Sequence, residues 1–119
     1  MDSGAAILAF SQSEKIKAAI IGLTQALEVL GQTPEPQRRS GEKVARVLLG
    51  FMLRDVHLAG RVAGQEAWRE VEKDLDLAMV MMDSGVSYEA PYHLNRALTR
   101  VTDIGRKSMS WLKQQGLLP

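Results

Sequence analysis

The sequence predicts an all-α protein, an antiparallel up-down four-helix bundle, and three observations carry that expectation. Apolar residues recur at steps of three and four along four segments, the spacing that lines up one face of an α-helix. Aromatic residues make up only 5% of the chain, so a core has to be built from Leu, Ile, Val, Ala and Met, which suits helix–helix packing. The segments are joined by linkers of modest length, which place consecutive helices side by side. At 119 residues the chain reads as a single domain, residues 1–119, with one core.

The first helix is expected over about residues 12–30, on the stripe Ile16, Ile20, Leu23, Leu27, Leu30. Ser11-Gln12-Ser13-Glu14 has the form of a capping box, and Gly31 suits a C-terminal cap. Upstream, residues 5–10 are either a separate turn or an extension of the same helix. Residues 31–40 are the clearest linker, because Pro34 and Pro36 remove amide donors and push their predecessors out of helical geometry.

The second helix, over about 41–62 with Ser40 as N-cap, carries Val44, Val47/Leu48, Phe51, Asp55, Leu58 and Val62, apolar except at Asp55 and taken as the core stripe. Gly60 and Gly64 weaken its end, and a turn is expected near Ala63-Gly64-Gln65. No capping residue precedes Glu66, so one kinked rod spanning the second and third helices is the alternative. The third helix, 66–83, has the stripe Trp68, Val71, Leu75, Ala78, Met82, with Glu66 and Glu70 favoured by the helix dipole. Asp83-Ser84-Gly85 ends it. The fourth, 91–115, opens at Pro91 and continues Leu94, Leu98, Val101, Ile104, Ser108, Leu112 before Gly116.

Composition narrows the function classes. The absence of cysteine removes disulfides, thiolate metal sites and a cysteine nucleophile. No apolar stretch approaches the roughly 20 residues needed to span a bilayer, and Asp2 stands where a signal peptide would be basic, so the cytoplasm is the expected location. Net charge is +1, but it is unevenly spread: residues 38–63 carry six basic and two acidic side chains, 64–88 two and six, 89–119 five and two.

Leu77-Ala78-Met79-Val80-Met81-Met82 goes most of the way round a helix, more than one core stripe requires. Ile7-Leu8 and Ile20-Ile21 likewise exceed one stripe. Ile7, Leu8, Ile21, Leu77, Val80 and Met81 are therefore the candidate interface of a non-enzymatic interaction module. The expected partner is a second copy in a two-fold dimer or a partner's helix, with no membrane and no cofactor.

His57 is the candidate phosphoacceptor, with Arg54 and Arg61 one turn away to offset phosphoryl charge. The stretch His57-Leu58-Ala59-Gly60-Arg61 resembles the histidine phosphotransfer domains of two-component signalling, themselves four-helix bundles of this size. That resemblance implies a signalling role through His57. It departs from the family in one respect: there a basic residue comes three positions after the histidine and Gly four, whereas here Gly60 precedes Arg61.

A nucleic-acid-binding bundle is the other alternative, and it needs the second and fourth helices to share one basic face. That face would use Arg38, Arg39, Lys43, Arg46, Arg54 and Arg61 with Arg96, Arg100, Arg106 and Lys107. His93 follows Glu89 by one turn, but no Glu-x-x-His pair occurs, so no metal centre is expected. Asp55, alone in an apolar stripe, is expected to pair with Arg96 or Arg100. No phosphate-cradling Gly loop, nucleophile elbow or paired-carboxylate constellation is present.

Overall fold

The computed structural model describes residues 2–63 and 66–117, and it is all-helical. Its elements are α1 (Ser3–Gly31), α2 (Gln37–Ala63), α3 (Ala67–Asp83), a single 3₁₀ turn at Ser87–Glu89, and α4 (Ala90–Gln114). They form a four-helix bundle measuring 54 × 25 × 18 Å. α1 packs against α2 and α4, and α3 packs against the same two helices, so α1 and α3 occupy one diagonal and α2 and α4 the other.

α1 begins well before the expected position. Asp2 is its cap, its carboxylate accepting from the Ala5 amide at 2.7 Å, and the helix then runs unbroken for 29 residues. Residues 5–10 therefore extend the first helix. Ser13, read as part of a capping box, is buried mid-helix, and its hydroxyl donates to the Phe10 carbonyl at 2.7 Å. Gly31 is the last residue of the helix, and the amide of Gln32, one residue on, bonds back to the carbonyls of Leu30 and Val29.

α2 also starts earlier, at Gln37, directly after the two prolines. Ser40 lies inside it, its amide bonded to the Pro36 carbonyl at 3.3 Å. α2 and α3 are packed side by side and antiparallel, with Arg46 near Asp83 (3.9 Å) and His57 near Glu72 (3.6 Å). One continuous rod could not bring those pairs together. The turn expected at Ala63-Gly64-Gln65 falls partly outside the described residues, as does the side chain of Val62.

α3 and α4 stop at glycines in the left-handed region, Gly85 at φ 81° and Gly116 at φ 70°. In each case the residue after the glycine bonds back five positions, Val86 to Met81 and Leu117 to Leu112, closing off the last carbonyls. The Ser87 hydroxyl donates to Glu42 at 2.8 Å and ties the α3–α4 connection to α2.

The core stripes of α1, α3 and α4 fall where the spacing predicts: Ile16, Ile20, Leu23 and Leu27; Trp68, Val71, Leu75, Ala78 and Met82; Leu94, Val101, Ile104 and Leu112. α2 differs. Its buried side chains are Ala45, Leu49, Met52, Val56 and Ala59, while Val44, Val47, Leu48, Phe51 and Leu58 are exposed. The stripe taken as core is the outward one. Small side chains face inward because α3 comes close at this end: a Cβ on Gly60 would lie 3.3 Å from the Trp68 Cβ. Ala59 and Gly60 leave room for the indole, which a larger pair would displace.

Candidate functional site

Successive positions on a helix are rotated by about 100°, so a residue next to a core position lies at the edge of the buried face. On α2, Val44, Leu48, Phe51, Asp55 and Leu58 advance by four, three, four and three, a second full stripe beside the buried one. Val44 is 60% exposed, Val47 59% and Phe51 54%, values more usual for charged side chains. Five large apolar side chains therefore stand open along one helix.

Two contacts place the stripe on the α1 side of α2. Leu30 of α1 packs over Gly41, where a Cβ would meet the Leu30 Cδ2, and Lys15 Nζ lies 3.5 Å from Asp55. Between these fixed points the antiparallel helices set Ala26 level with Val44, Gly22 with Leu48, and Ala19 with Phe51. Ala19, Gly22 and Ala26 are all exposed, and nothing lies within 4 Å of where a Gly22 Cβ would project. The result is a two-helix face with a low floor of Ala and Gly on α1 and a wall of Val, Leu and Phe on α2.

The rim is basic. Lys43, Arg54 and Arg61 are exposed on the outer side of α2, and no carboxylate among the described residues lies within ion-pair distance of them. The Arg54 guanidinium sits 5.4 Å from the centre of the Phe51 ring. Asp55 carries the one acidic side chain in the stripe and pairs with Lys15, not with the fourth helix. Arg96 and Arg100 instead hold Asp74 of α3, which is 4% exposed, at 3.7 and 2.7 Å.

The residues expected to form an interface are dispersed. Ile7, Leu8 and Ile21 are exposed on α1, and Leu77 and Val80 on α3, across the bundle diagonal. Met81 is half-buried and packs with Met79 against the core, so the run 77–82 presents two side chains outward. The large contiguous apolar face is on α2, where the stripe expected to be core faces outward.

The other candidates are placed as follows. His57 is exposed, but its Nδ1 faces the Glu72 carboxylate at 3.6 Å, an anion that opposes a phosphoryl group. Gly60, three residues after it in the phosphotransfer-like stretch, lies close to Trp68. His93 packs edge-on against Tyr92, ring centroids 5.2 Å apart, and its Nδ1 is buried without a hydrogen-bond partner among the described residues. No group of three or more His, Asp or Glu side chains among those residues is close enough to hold a metal. The basic side chains of α2 and α4 lie on diagonally opposed helices, and several are paired within their own neighbourhood: Arg106 and Lys107 with Asp103, and Arg38 and Arg39 with Glu35.

A cleft of about 500 Å³ opens at the end of the bundle between Leu27, Leu30, Arg38, Glu42, Ser87 and Tyr88. Its arginines are matched by Glu35 and Glu42, and it holds no unbalanced charge to recognise a ligand. No helix among the described residues is long and apolar enough to cross a membrane. No family model, curated protein or solved structure matches the chain.

Proposed function

We propose that the protein is a non-enzymatic docking module whose α1–α2 face receives a helix from a partner. The observation that carries this reading is the open stripe Val44, Val47, Leu48, Phe51, Leu58 on a helix whose other face is fully used by the core. Monomeric proteins rarely leave so long an apolar strip uncovered unless something covers it in use. Each side chain is about half-exposed, so covering all five offers on the order of 5 kcal/mol on this side, before the cost of ordering the complex. The floor of small residues beside a wall of larger ones suits a helix laid in a groove. Leu77 and Val80 on α3 offer a smaller second surface.

The test is an NMR footprint on the full chain, titrated with a synthetic amphipathic helix that has a Leu stripe and uncharged Gln flanks. Amide shifts concentrated at 44–58 and 19–26, and lost in Phe51→Glu, are the expected result. Shifts centred on Leu77 and Val80, or shifts that persist in Phe51→Glu, would overturn the α2 assignment. Phe51 is exposed, so Phe51→Glu should retain the helical circular dichroism of the parent.

A further inference from the structure

Resting on the docking reading above, we infer that the occupant of the α1–α2 face is an acidic amphipathic helix of another protein. The length of the face fixes the size of the partner. Val44 to Leu58 spans about 21 Å at 1.5 Å per residue, or four turns. Its composition then divides it in two. Val44, Phe51 and Leu58 repeat every seven residues, the inner register of a helix pair. The companion positions three residues on are Val47, Arg54 and Arg61, apolar at one end and cationic along the rest. A matching helix therefore carries apolar side chains opposite Val44–Phe51 and Glu or Asp opposite Arg54 and Arg61, which sets where along the groove its acids fall.

Charge argues against a second copy, and side-chain composition and shape argue against a lipid surface. A second copy docked here by two-fold symmetry brings Lys43, Arg54 and Arg61 of each chain into one interface, with Asp55 as the sole acid of the stripe, already held by Lys15 at 3.5 Å. Symmetry doubles the uncompensated positive charge rather than relieving it. A lipid surface also accepts a basic rim beside exposed Phe and Leu, but this face lacks an interfacial tryptophan and is not planar. Trp68 is in the core, Trp111 lies on α4, and Phe51 is the single aromatic of the face. The stepped floor of Ala19, Gly22 and Ala26 also fits a rod better than a plane.

The experiment compares two synthetic four-turn helices sharing one Leu stripe, one flanked by Glu and one by Lys, by fluorescence anisotropy with the full chain. The Glu-flanked helix should bind at least tenfold more tightly, with a preference that shrinks as salt is raised. Arg54→Glu/Arg61→Glu should reverse the order of the two peptides, and Phe51→Glu should abolish both. Failure of the Glu-flanked helix to bind overturns the proposal. Equal affinities, both lost in Phe51→Glu, overturn the acidic partner but leave the docking face standing. Binding indifferent to Phe51→Glu overturns the docking reading itself. A dimer in sedimentation equilibrium that Phe51→Glu disperses would assign the face to a second copy. Binding to phosphatidylserine vesicles tighter than to the Glu-flanked helix would assign it to a lipid surface.

Discussion

Arg100 Nε donates to the Asp74 carboxylate at 2.7 Å, joining α4 to α3 at a point where the carboxylate has almost no contact with water. Arg96, one turn earlier on α4, approaches the other carboxylate oxygen at 3.7 Å. The two guanidinium groups remain partly exposed while the acid is buried, so the pair is unequal. Removing a cation strands a buried charge, whereas removing the acid releases two side chains that can turn to solvent.

That inequality predicts an order of stabilities. Arg100→Met should cost about 3 kcal/mol, because Asp74 keeps only the longer contact to Arg96, and Asp74→Asn about 1–2 kcal/mol. The double variant Arg100→Met/Asp74→Asn should be more stable than Arg100→Met alone. Urea denaturation of the three variants checks the order, and a double variant worse than Arg100→Met would contradict it.

α1 and α4 come close where Gly105 faces Ser13: a Cβ at 105 would lie 2.5 Å from the Ser13 hydroxyl, which is buried and already bonded to the Phe10 carbonyl. Gly105→Ala should therefore destabilise by about 1–3 kcal/mol despite better helix propensity. Gly50→Ala, with nothing within 4 Å of its Cβ, should stabilise by about 0.5–1 kcal/mol. Combining Gly105→Ala with Ser13→Ala should recover part of the loss, since the oxygen that meets the new methyl is gone.

Most of the fold was legible because α1, α3 and α4 each carry one dominant apolar stripe, with their other apolar residues too scattered to compete for the core. α2 carries two. Its outer stripe is the larger in side-chain volume, so hydrophobicity alone points the wrong way. The inner stripe narrows to Ala59 beside Gly60 because α3 comes close there, a constraint set by Trp68 on another helix and invisible along α2 itself. The start of α1 was hidden for a local reason: Asp2 caps it just before a run of small residues with no apolar stripe. Asp74 gives no signal along α3, although Arg96 and Arg100, four apart on α4, form a matched pair of cations. The open stripe of α2 is legible in residue identity and spacing, but its exposure comes only from how the helices pack.

Asp76 provides a pH-dependent test of the α2–α3 edge. Partial burial, and secondarily the negative charge of Glu72, raise its carboxyl above the ordinary 3.8. A carboxyl that holds its proton more tightly when folded costs stability once both states are ionised, and costs nothing below the unfolded value. Asp76→Asn should thus raise the melting temperature at neutral pH, with a gain that fades as the pH falls through the raised value towards 3.8. The gain should be small, because the side chain is largely exposed and its field is screened. Thermal melts at neutral and acidic pH check this, and an Asn variant equally or less stable than the parent at neutral pH would contradict it.

Leu49 and Phe51 are two residues apart and separate the two faces of α2 most sharply, since Leu49 is fully buried and Phe51 is 54% exposed. If the larger side chain were the core residue, replacing it would be the more damaging change. The packing predicts the opposite: Leu49→Ala should cost about 2–5 kcal/mol through lost contacts and a cavity. Phe51→Ser should change stability by no more than about 0.5 kcal/mol, as for other exposed positions. Chemical denaturation of the two single variants decides which stripe of α2 is core. A large loss in Phe51→Ser would turn the helix over, bury the proposed docking face, and remove the ground for a partner helix at α1–α2.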